Sequence, residues 1–350
     1  MAQVTIDAEN PKDETGMVPT MTALQVPGPL QPADLVPVSA NLPTRSRSDV
    51  LVAVRAAGVN RSDVLACQGV IPGPYPRVLG REYAGEVVDG PAEWVGRRVW
   101  GAGGGDLGVT RDGTHAEYVA IPLGALVEIP TALETVDAGA SALAYFTAQC
   151  AIMRATGRSG LKGTWVAVTG AAGSVGRAAC ELARLQGARV VAIVKDRIEA
   201  QVCHDFGYED IVRTDSMDVT RSIRELTNGA GADAAVDAVG GAMSDALLGA
   251  LKAGGGLCVF SSPAEQPISL DVLSFYRNDL LLVGLNTARL TMYDAAGVLR
   301  DLASAFDSGK LRPVSVHSTR PLSEASIAYT DVMRAVAGRP VLCPAPAAAR

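Results

Sequence analysis

The chain has 350 residues, of which 48% are hydrophobic, and it carries a formal net charge of -6 at pH 7. A chain of this length exceeds the size at which one hydrophobic core keeps growing, so two domains are expected. The acidic balance argues against nucleic acid as a partner, because phosphates require a basic surface. A small-molecule partner is the better expectation.

The six cysteines are scattered and include no Cys-x-x-Cys pair. They are typical of buried thiols in a reducing compartment, and not of a disulfide framework or a zinc site. No apolar run approaches the roughly 20 residues that span a bilayer, so no membrane segment is expected. Residues 1–20 contain four acidic residues and no apolar core. We expect a disordered extension there, not a secretory signal, and a cytoplasmic location.

Strands predominate after this extension. Met21–Val26 is the first convincing strand, and Asp49–Gly58 alternates in the manner of a half-buried strand. Further strands are predicted, between Pro and Gly turns, at residues 84–88, 97–100, 116–121 and 125–129. Strands at this spacing without intervening helices predict a β-rich, partly open barrel over residues 21–140.

Residues 163–196 have the pattern strand, glycine turn, helix, strand. Trp165–Val168 is a short apolar run, typical of a strand buried on both faces of a parallel sheet. Small residues then occupy the positions of a dinucleotide fingerprint: Gly170, Ala171, Ala172, Gly173, Ser174, Val175 and Gly176. Gly173 would let the backbone approach a pyrophosphate, and Gly176 would let helix and strand pack closely. The pattern predicts dinucleotide binding.

The alternation of helices and strands continues to Leu285. Helices are predicted at residues 198–206, 218–227 and 243–251, and strands at 210–212, 234–239, 256–260 and 280–285. This order predicts an α/β unit over residues 141–290, with a doubly wound parallel sheet and right-handed crossovers. Residues 291–350 are expected to return to the first domain, which would place the substrate in a cleft between the two.

Five blocks in this order resemble the medium-chain dehydrogenase/reductase superfamily: Gly58–Asp63, Leu79–Val88, Gly113–Val119, Gly170–Gly176 and Val236–Gly241. The resemblance runs from about Met21 to Cys343 and is greatest to the zinc-free quinone oxidoreductase and enone reductase branch. It implies a Rossmann sheet inserted in a GroES-like, partly open barrel domain, with a nicotinamide dinucleotide as cofactor.

The branch is indicated by the residues at the ligand positions of the related zinc alcohol dehydrogenases. Asn60 stands where those enzymes have a cysteine and Arg81 where they have a histidine, which leaves Glu82 as the one carboxylate. A catalytic zinc needs three protein ligands and an open position. The glycine-rich stretch 101–113 replaces the lobe that holds a structural zinc in those relatives. We therefore expect no metal.

Hydride transfer to a conjugated C=C bond or a quinone suits such a site, because the carbonyl delocalises the developing charge without a Lewis acid. The resemblance implies that Asn60 lies near the nicotinamide and the substrate, although an amide that only holds the turn also fits. Tyr75 is the candidate proton donor, with solvent as the alternative. Tyr145 is a second candidate for the pocket, with core packing as the alternative, and Thr147 is similar to a family residue near the nicotinamide. His115 is more typical of a hydrogen-bonded loop histidine.

The end of the second strand of the α/β unit indicates the cofactor. NAD-binding relatives carry an acidic residue there, which binds the ribose 2′-hydroxyl. Val194 occupies that position, and Lys195 and Arg197 follow. Two cations can hold a 2′-phosphate, so NADPH is predicted, although Asp196 lies between them. Further contacts are expected beyond the carboxyl ends of the other strands, at Gly240, Ser261, Ser262, Leu285 and Asn286.

The last strand, 280–285, is so apolar that a free edge would promote aggregation. In similar enzymes this strand pairs with its copy across a two-fold axis, and we expect a homodimer.

Three functions remain open at this point. The leading one is an NADPH-dependent reductase whose small-molecule substrate is an enone, a quinone or a related carbonyl compound. The second is a zinc-free dehydrogenase of an alcohol or aldehyde. The third is a non-catalytic relative that binds NADPH. It stays open because Tyr75 is displaced from the position of the tyrosine in related enoyl reductases.

Overall fold

The computed structural model describes residues 19–157, 160–261 and 267–344. The chain divides into two compact units. The first contains the described residues up to Leu143 and those from Thr287 onward, and the second contains Ala144–Asn286. The first unit is thus built from two separate parts of the chain. The predicted N-terminal extension lies outside the described residues, except for Pro19 and Thr20.

Within the described residues the strands are β1 (Thr20–Ala23), β2 (Gln25–Val26), β3 (Val38–Asn41), β4 (Asp49–Gly58), β5 (Arg77–Val78), β6 (Glu82–Asp89), β7 (Arg98–Ala102), β8 (Tyr118–Pro122), β9 (Val127–Glu128), β10 (Trp165–Thr169), β11 (Arg189–Val194), β12 (Ile211–Arg213), β13 (Ala232–Asp237), β14 (Leu251–Val259), β15 (Leu281–Gly284), β16 (Val316–Arg320) and β17 (Arg339–Leu342).

The α-helices are α1 (Arg61–Cys67), α2 (Thr135–Thr156), α3 (Ser174–Leu185), α4 (Arg197–Asp205), α5 (Val219–Leu226), α6 (Ala242–Ala250), α7 (Val272–Arg277), α8 (Met292–Asp307) and α9 (Ala325–Met333). None of the helices in the described parts of the chain is both long and apolar enough to cross a membrane.

Strand β4 is central to the main sheet of the first unit. The sheet has the order β16-β17-β4-β6-β7-β9, and β8 also pairs with β4. The prediction of a half-buried strand is wrong here, because Arg55 is the one exposed residue of β4. The strand pairs antiparallel with β6, β8 and β17, and both of its faces are covered. The predicted β-rich domain is confirmed.

The sheet of the second unit is parallel throughout, with the order β12-β11-β10-β13-β14-β15. Numbered along the chain, this is the order 3-2-1-4-5-6 of a doubly wound dinucleotide-binding fold. The first strand, β10, is central, and its apolar run is buried from Val166 onward. Helix α3 packs closely on it at Gly176, where a Cβ would overlap the carbonyl oxygen of Gly170. The predicted fold class is confirmed.

Several local features differ from the sequence-based expectation. Strand β3 and the helices α2 and α7 were not predicted, whereas β1 overlaps the predicted strand Met21–Val26. Strand β14 begins at Leu251, not at Gly256. The glycines of residues 254–256 are typical of a turn, yet the chain continues as a strand because its register against β13 shifts there.

Candidate active site

The turn between β10 and α3 has the geometry that a pyrophosphate requires. Gly170 has φ +58°, which favours glycine. The N–H of Gly173 donates to the carbonyl of Gly170 at 2.8 Å, and the N–H of Ala171 donates to that of Ile193 on the neighbouring strand at 3.2 Å. Ala171, Ala172 and Val175 complete the turn and the first residues of the helix.

Helix α3 differs from three other helices of the second unit at its N-terminus. The side chains of Asp196, Asp218 and Asp271 cap α4, α5 and α7 by accepting backbone N–H bonds. Helix α3 begins after Gly173, which has no side chain to cap it. Its first N–H groups and its positive dipole end are therefore available to an anion. This donor set fits the phosphates of a nicotinamide dinucleotide.

At the end of β11 the acidic side chains are used locally. Asp196 accepts the N–H groups of residues 198 and 199 at 3.0 Å each, and Glu199 accepts the N–H of Lys195 at 2.8 Å. Val194 is buried, whereas Lys195 and Arg197 are exposed. The Nζ atom of Lys195 lies 3.3 Å from a carboxylate oxygen of Asp196. Two cations, Lys195 and Arg197, therefore face solvent at this edge. The carboxylate of Asp196 caps helix α4, and that of Glu199 holds the backbone of Lys195.

The structure adds a third cation that the sequence analysis missed. Arg213 is the last residue of β12 and pairs in register with Val194 of β11. Its Nη2 donates to the hydroxyl of Ser216 at 2.7 Å, and its Nε lies 3.7 Å from Asp215. Strand pairing brings it to the same edge, and this pairing cannot be obtained from local sequence.

Asp237 organises the turn that contains Gly240. Its Oδ1 accepts hydrogen bonds from the Thr169 hydroxyl at 2.7 Å and from the N–H groups of Val239 and Gly240 at 2.9 and 3.0 Å. Its Oδ2 accepts the hydroxyl of Ser244 at 2.6 Å. One buried carboxylate thus ties the ends of β10 and β13 together. The sequence analysis named Gly240 but not the aspartate that holds it.

The remaining predicted cofactor residues lie at the ends of β14 and β15. Ser261 follows β14 and is partly buried. Ser262 lies outside the described residues. Leu285 is buried and its N–H donates to the carbonyl of Val259 at 2.9 Å, whereas Asn286 is exposed.

Asn60 lies at the junction of β4 and α1, where its amide is fully engaged. It is 6% exposed. Its Nδ2 donates to the Gly58 carbonyl at 3.3 Å and to Glu82 Oε1 at 2.8 Å, and its Oδ1 accepts from the guanidinium of Arg339. Its own N–H donates to Asp63 at 2.7 Å. Both amide hydrogens of Asn60 are used within the protein.

Glu82 is the centre of this network. Its side chain is completely buried, and burial raises its pKa, while the charge of Arg339 acts in the opposite direction. Besides Asn60, its Oε2 accepts the N–H of Leu143 at 2.8 Å, and Arg339 Nη1 lies 4.0 Å from Oε1. A Cβ at Gly58 would overlap Oε1, so glycine is required for this approach. The role of Arg339 was not foreseen from the sequence.

These residues do not fit a zinc ion. Both carboxylate oxygens of Glu82 already accept hydrogen bonds, one of them from the amide nitrogen of Asn60. Arg81 is 3% exposed and stands at the position of the missing histidine. Two guanidinium groups, those of Arg81 and Arg339, raise the positive potential that a divalent cation would meet. Among the described residues no group of three or more His, Cys, Asp or Glu side chains could hold a metal.

His115 has a role in packing. Burial lowers the pKa of His115 to about 4, so the ring is neutral. Its Nε2 donates to the Gly58 carbonyl at 3.3 Å, and its Nδ1 accepts from the hydroxyl of Tyr329 at 2.7 Å. The ring thus bonds the end of β4 to Tyr329 of α9.

The two candidate tyrosines lie in different units. Tyr75 is partly buried, and its hydroxyl oxygen accepts from Arg77 Nη2 at 3.3 Å. The guanidinium of Arg77 also lies over its ring, 4.8 Å from the centroid. Tyr145 is 1% exposed within α2, and Thr147 on the same helix is 8% exposed. The burial of Tyr145 agrees with the alternative of core packing.

Comparison with known proteins identifies both units. A family model described as the alcohol dehydrogenase GroES-like domain matches residues 46–131, and one described as zinc-binding dehydrogenase matches residues 174–304. The chain is 33% identical over 279 residues to a zinc-type alcohol dehydrogenase-like protein of Schizosaccharomyces pombe, covering 78% of this chain and 81% of that protein.

Two further relatives are similar over most of their length. Acryloyl-coenzyme A reductase of Sulfurisphaera tokodaii is 28% identical over 327 residues, which are 84% of this chain and 91% of that protein. The native structure of a mycobacterial quinone oxidoreductase matches with a TM-score of 0.79 at 26% identity, covering 93% of this chain and 100% of that chain.

The matched residues include strands of the main sheet of the first unit and of the parallel sheet of the second. The family matches support a nicotinamide dinucleotide as the cofactor of this chain. The chain belongs to the medium-chain dehydrogenase/reductase superfamily of oxidoreductases, in its quinone oxidoreductase-like branch.

Proposed function

We propose that this protein is an NADPH-dependent reductase that transfers hydride to an activated C=C bond or to a quinone. The observation that carries the proposal is the network around Glu82. Its carboxylate is held by the amide of Asn60 and the N–H of Leu143, with Arg339 beside it. The positions that hold a catalytic zinc in related dehydrogenases thus form a closed, internally bonded cluster.

The chemistry follows from the charges of this cluster. Oxidation of an alcohol requires a group that lowers the pKa of its hydroxyl, which a zinc ion supplies in related enzymes. A conjugated carbonyl or a quinone instead delocalises the charge that arrives with the hydride, and it needs hydrogen-bond donors only. A nicotinamide dinucleotide held at the turn before α3 would supply the hydride. The substrate is a small molecule with such a carbonyl group.

The residues of this chain have distinct roles in the proposal. Asn60 is a positioning residue, because both of its amide hydrogens are used by Gly58 and Glu82. Tyr75 is the candidate proton donor: its oxygen accepts from Arg77, and the hydroxyl hydrogen has no acceptor among the described residues. Thr147 is proposed to lie near the nicotinamide, and Tyr145, which is 1% exposed, is proposed to pack in the core.

Two relatives support this reaction class by name. One is a reductase of acryloyl-coenzyme A, whose C=C bond is conjugated to a thioester carbonyl. The other is a quinone oxidoreductase. Both substrates accept hydride at a carbon that a carbonyl group makes electron-poor.

We expect the purified protein to consume NADPH with enones, quinones or enoyl thioesters. Absorbance at the reduced nicotinamide band would measure the rate across a panel of these compounds. Aldehydes with NADPH, and alcohols with NADP+, are the matched controls and should react at least tenfold more slowly. Faster alcohol oxidation would contradict the proposal, and NADPH binding without turnover of any compound would favour a non-catalytic relative.

NADPH is proposed as the cofactor because the edge formed by β11 and β12 presents cations. Lys195 and Arg197 are exposed, and Arg213 pairs in register with the preceding residue Val194. Asp196, which could have accepted a ribose hydroxyl, caps helix α4 instead. A 2′-phosphate would gain charge-assisted hydrogen bonds from these side chains.

Replacing both Lys195 and Arg197 with Ala should raise the KM for NADPH at least tenfold and that for NADH less than twofold. The reason is that only NADPH carries the 2′-phosphate that these cations hold. Steady-state kinetics with each cofactor measures the difference. Arg184→Ala removes an exposed arginine near the C-terminal end of α3 that donates to the carbonyls of Phe206 and Gly207, and it should leave both KM values unchanged. Equal effects on the two cofactors would refute the assignment.

A homodimer is proposed through the edge of the second unit's sheet. Strand β15 is the edge strand, and Leu281 is 46% exposed. Helix α7 beside it in sequence buries none of its residues and exposes Val272 at 62% and Tyr276 at 58%. An exposed edge with an apolar surface calls for a covering partner, and a second copy of the strand would extend the sheet.

Leu281→Arg should convert the dimer to a monomer at micromolar concentration, because it places a charge in the proposed interface. Sedimentation velocity measures the change. Val36→Arg, at a residue of the first unit that is 65% exposed, is the control and should remain dimeric. A wild-type protein that sediments as a monomer would exclude the dimer.

A further inference from the structure

In the parallel sheet of the second unit, the strand order reverses between β10 and β13. From β10 the chain runs outward through β11 to β12, and it then returns to β13 and runs outward through β14 to β15. The carboxyl ends of the two strands at such a reversal form a crevice, and dinucleotides bind across it in folds of this order. Two turns flank the crevice: residues 170–173, which we call the first turn, and residues 238–241, which we call the second turn.

The two turns lie against each other. A Cβ placed on Gly170 would lie 3.6 Å from the Cβ of Ala238 and 3.9 Å from Cγ2 of Val239, which is ordinary van der Waals contact. The helices that follow the turns, α3 and α6, both begin after a glycine and have no side-chain cap, whereas aspartates cap α4, α5 and α7. Among the described helices α3 to α7, the uncapped ones are therefore the two at the crevice. Uncapped helix N-termini favour anions, so the crevice suits a pyrophosphate.

Two buried side chains join the second turn to the end of β10. The hydroxyl of Thr169 donates to Asp237 Oδ1 at 2.7 Å and accepts the N–H of Ala238 at 2.8 Å. The same Oδ1 also accepts the N–H groups of Val239 and Gly240. Thr169 is 1% exposed, and Asp237 is completely buried. Three successive N–H groups of the second turn are thus held by these two side chains.

The first turn is held by other bonds. The N–H of Gly173 donates to the carbonyl of Gly170 at 2.8 Å, and the N–H of Ala171 donates to that of Ile193 at 3.2 Å. Neither bond involves a side chain of the connection described above. Loss of that connection would therefore release the second turn and leave the first turn in place.

We propose that Asp237 and Thr169 are positioning residues for the bound dinucleotide, because they fix the second turn against the first. The adenosine half of the cofactor is proposed to use α3 and the cations at the end of β11, on the first turn's side of the crevice. The rest of a dinucleotide has to cross the crevice past the second turn. A loosened second turn should weaken the whole dinucleotide and spare its adenosine half. This inference rests on the proposed function, in which NADPH binds at the carboxyl ends of the parallel strands.

The test compares NADPH with adenosine 2′,5′-bisphosphate, which has the adenosine and its two phosphates but no nicotinamide. In Thr169→Val the side chain keeps its shape and loses its hydroxyl, so the N–H of Ala238 has no acceptor. Isothermal titration of the full chain measures both Kd values. We expect the NADPH Kd to rise about tenfold, while that of the bisphosphate stays within about twofold. Thr169→Ser, which keeps the hydroxyl, should bind NADPH within about twofold of wild type.

Thr227→Val is the matched control. Thr227 is 5% exposed and precedes β13, at the amino end of that strand. Its hydroxyl likewise accepts a backbone N–H, that of Gly231, at 2.8 Å, and it donates to the Ile223 carbonyl at 2.8 Å. Both Kd values should remain at the wild-type level, which separates a general loss of stability in the second unit from loss of the connection at the crevice.

Asp237→Asn is the second variant. It removes the charge of the side chain that accepts three of the bonds, and neutral hydrogen bonds are weaker than charge-assisted ones. The NADPH Kd should again rise while that of the bisphosphate does not. If Thr169→Val does not fold, this variant decides. If neither folds, Ser244→Ala, which removes the donor to Asp237 Oδ2, is measured in the same way with the same selective rise expected.

Equal weakening of both ligands, or weakening of neither, overturns the inference, and so does a Thr169→Ser protein that binds NADPH as weakly as Thr169→Val. A wild-type protein that binds the bisphosphate and not NADPH, or neither ligand, refutes the proposed function instead. The two failures are therefore distinguished by the wild-type titration, which is measured first.

Discussion

The first unit depends on the buried carboxylate of Glu82 and the groups that compensate its charge. Removing a carboxylate from water costs several kcal/mol unless hydrogen-bond donors or cations replace the solvent. Here the donors are the amide of Asn60 and the N–H of Leu143, and the cation is Arg339. They come from the end of β4, from α2 and from the start of β17. One side chain thus joins parts of the chain that lie far apart in sequence.

The same network connects the fold with the proposed chemistry. In related dehydrogenases a zinc ion supplies positive charge at this position, and a histidine and a cysteine hold it. This chain supplies the charge with arginines and uses an asparagine to direct Glu82. A site built in this way favours substrates that carry their own means of delocalising charge. The second unit makes the complementary contribution, because α3 leaves its N-terminal N–H groups to an anion, whereas α4 and α5 are capped by aspartates.

The fold could be predicted because its signals are local. The apolar run Trp165–Val168, the small residues after it and the alternation of helices and strands determine the parallel sheet. The burial of β4 could not be predicted, since a strand covered on both faces and one covered on a single face can share the same alternation. The beginning of β14 at Leu251 was missed because glycines are typical of turns, and here a shift in register accommodates them.

The position of the candidate site could be predicted from the sequence. The roles of its residues could be predicted less well. The family resemblance indicated Asn60, but the use of both its amide hydrogens appears only when Gly58 and Glu82 are placed around it. No sequence pattern indicated a role for Arg339 or Arg213, because each is a charged residue at the end of a short strand. Arg339 bonds Asn60, far away in the sequence, and strand pairing places Arg213 beside Val194.

The zinc content of the protein after equilibration tests the central claim most directly. The wild-type protein would be dialysed against excess zinc, then against metal-free buffer, and analysed by mass spectrometry of the metals. Because Asn60, Leu143 and Arg339 already compensate Glu82, we expect zinc well below stoichiometric amounts and unchanged activity. Stoichiometric zinc that is lost in Glu82→Gln would contradict the account.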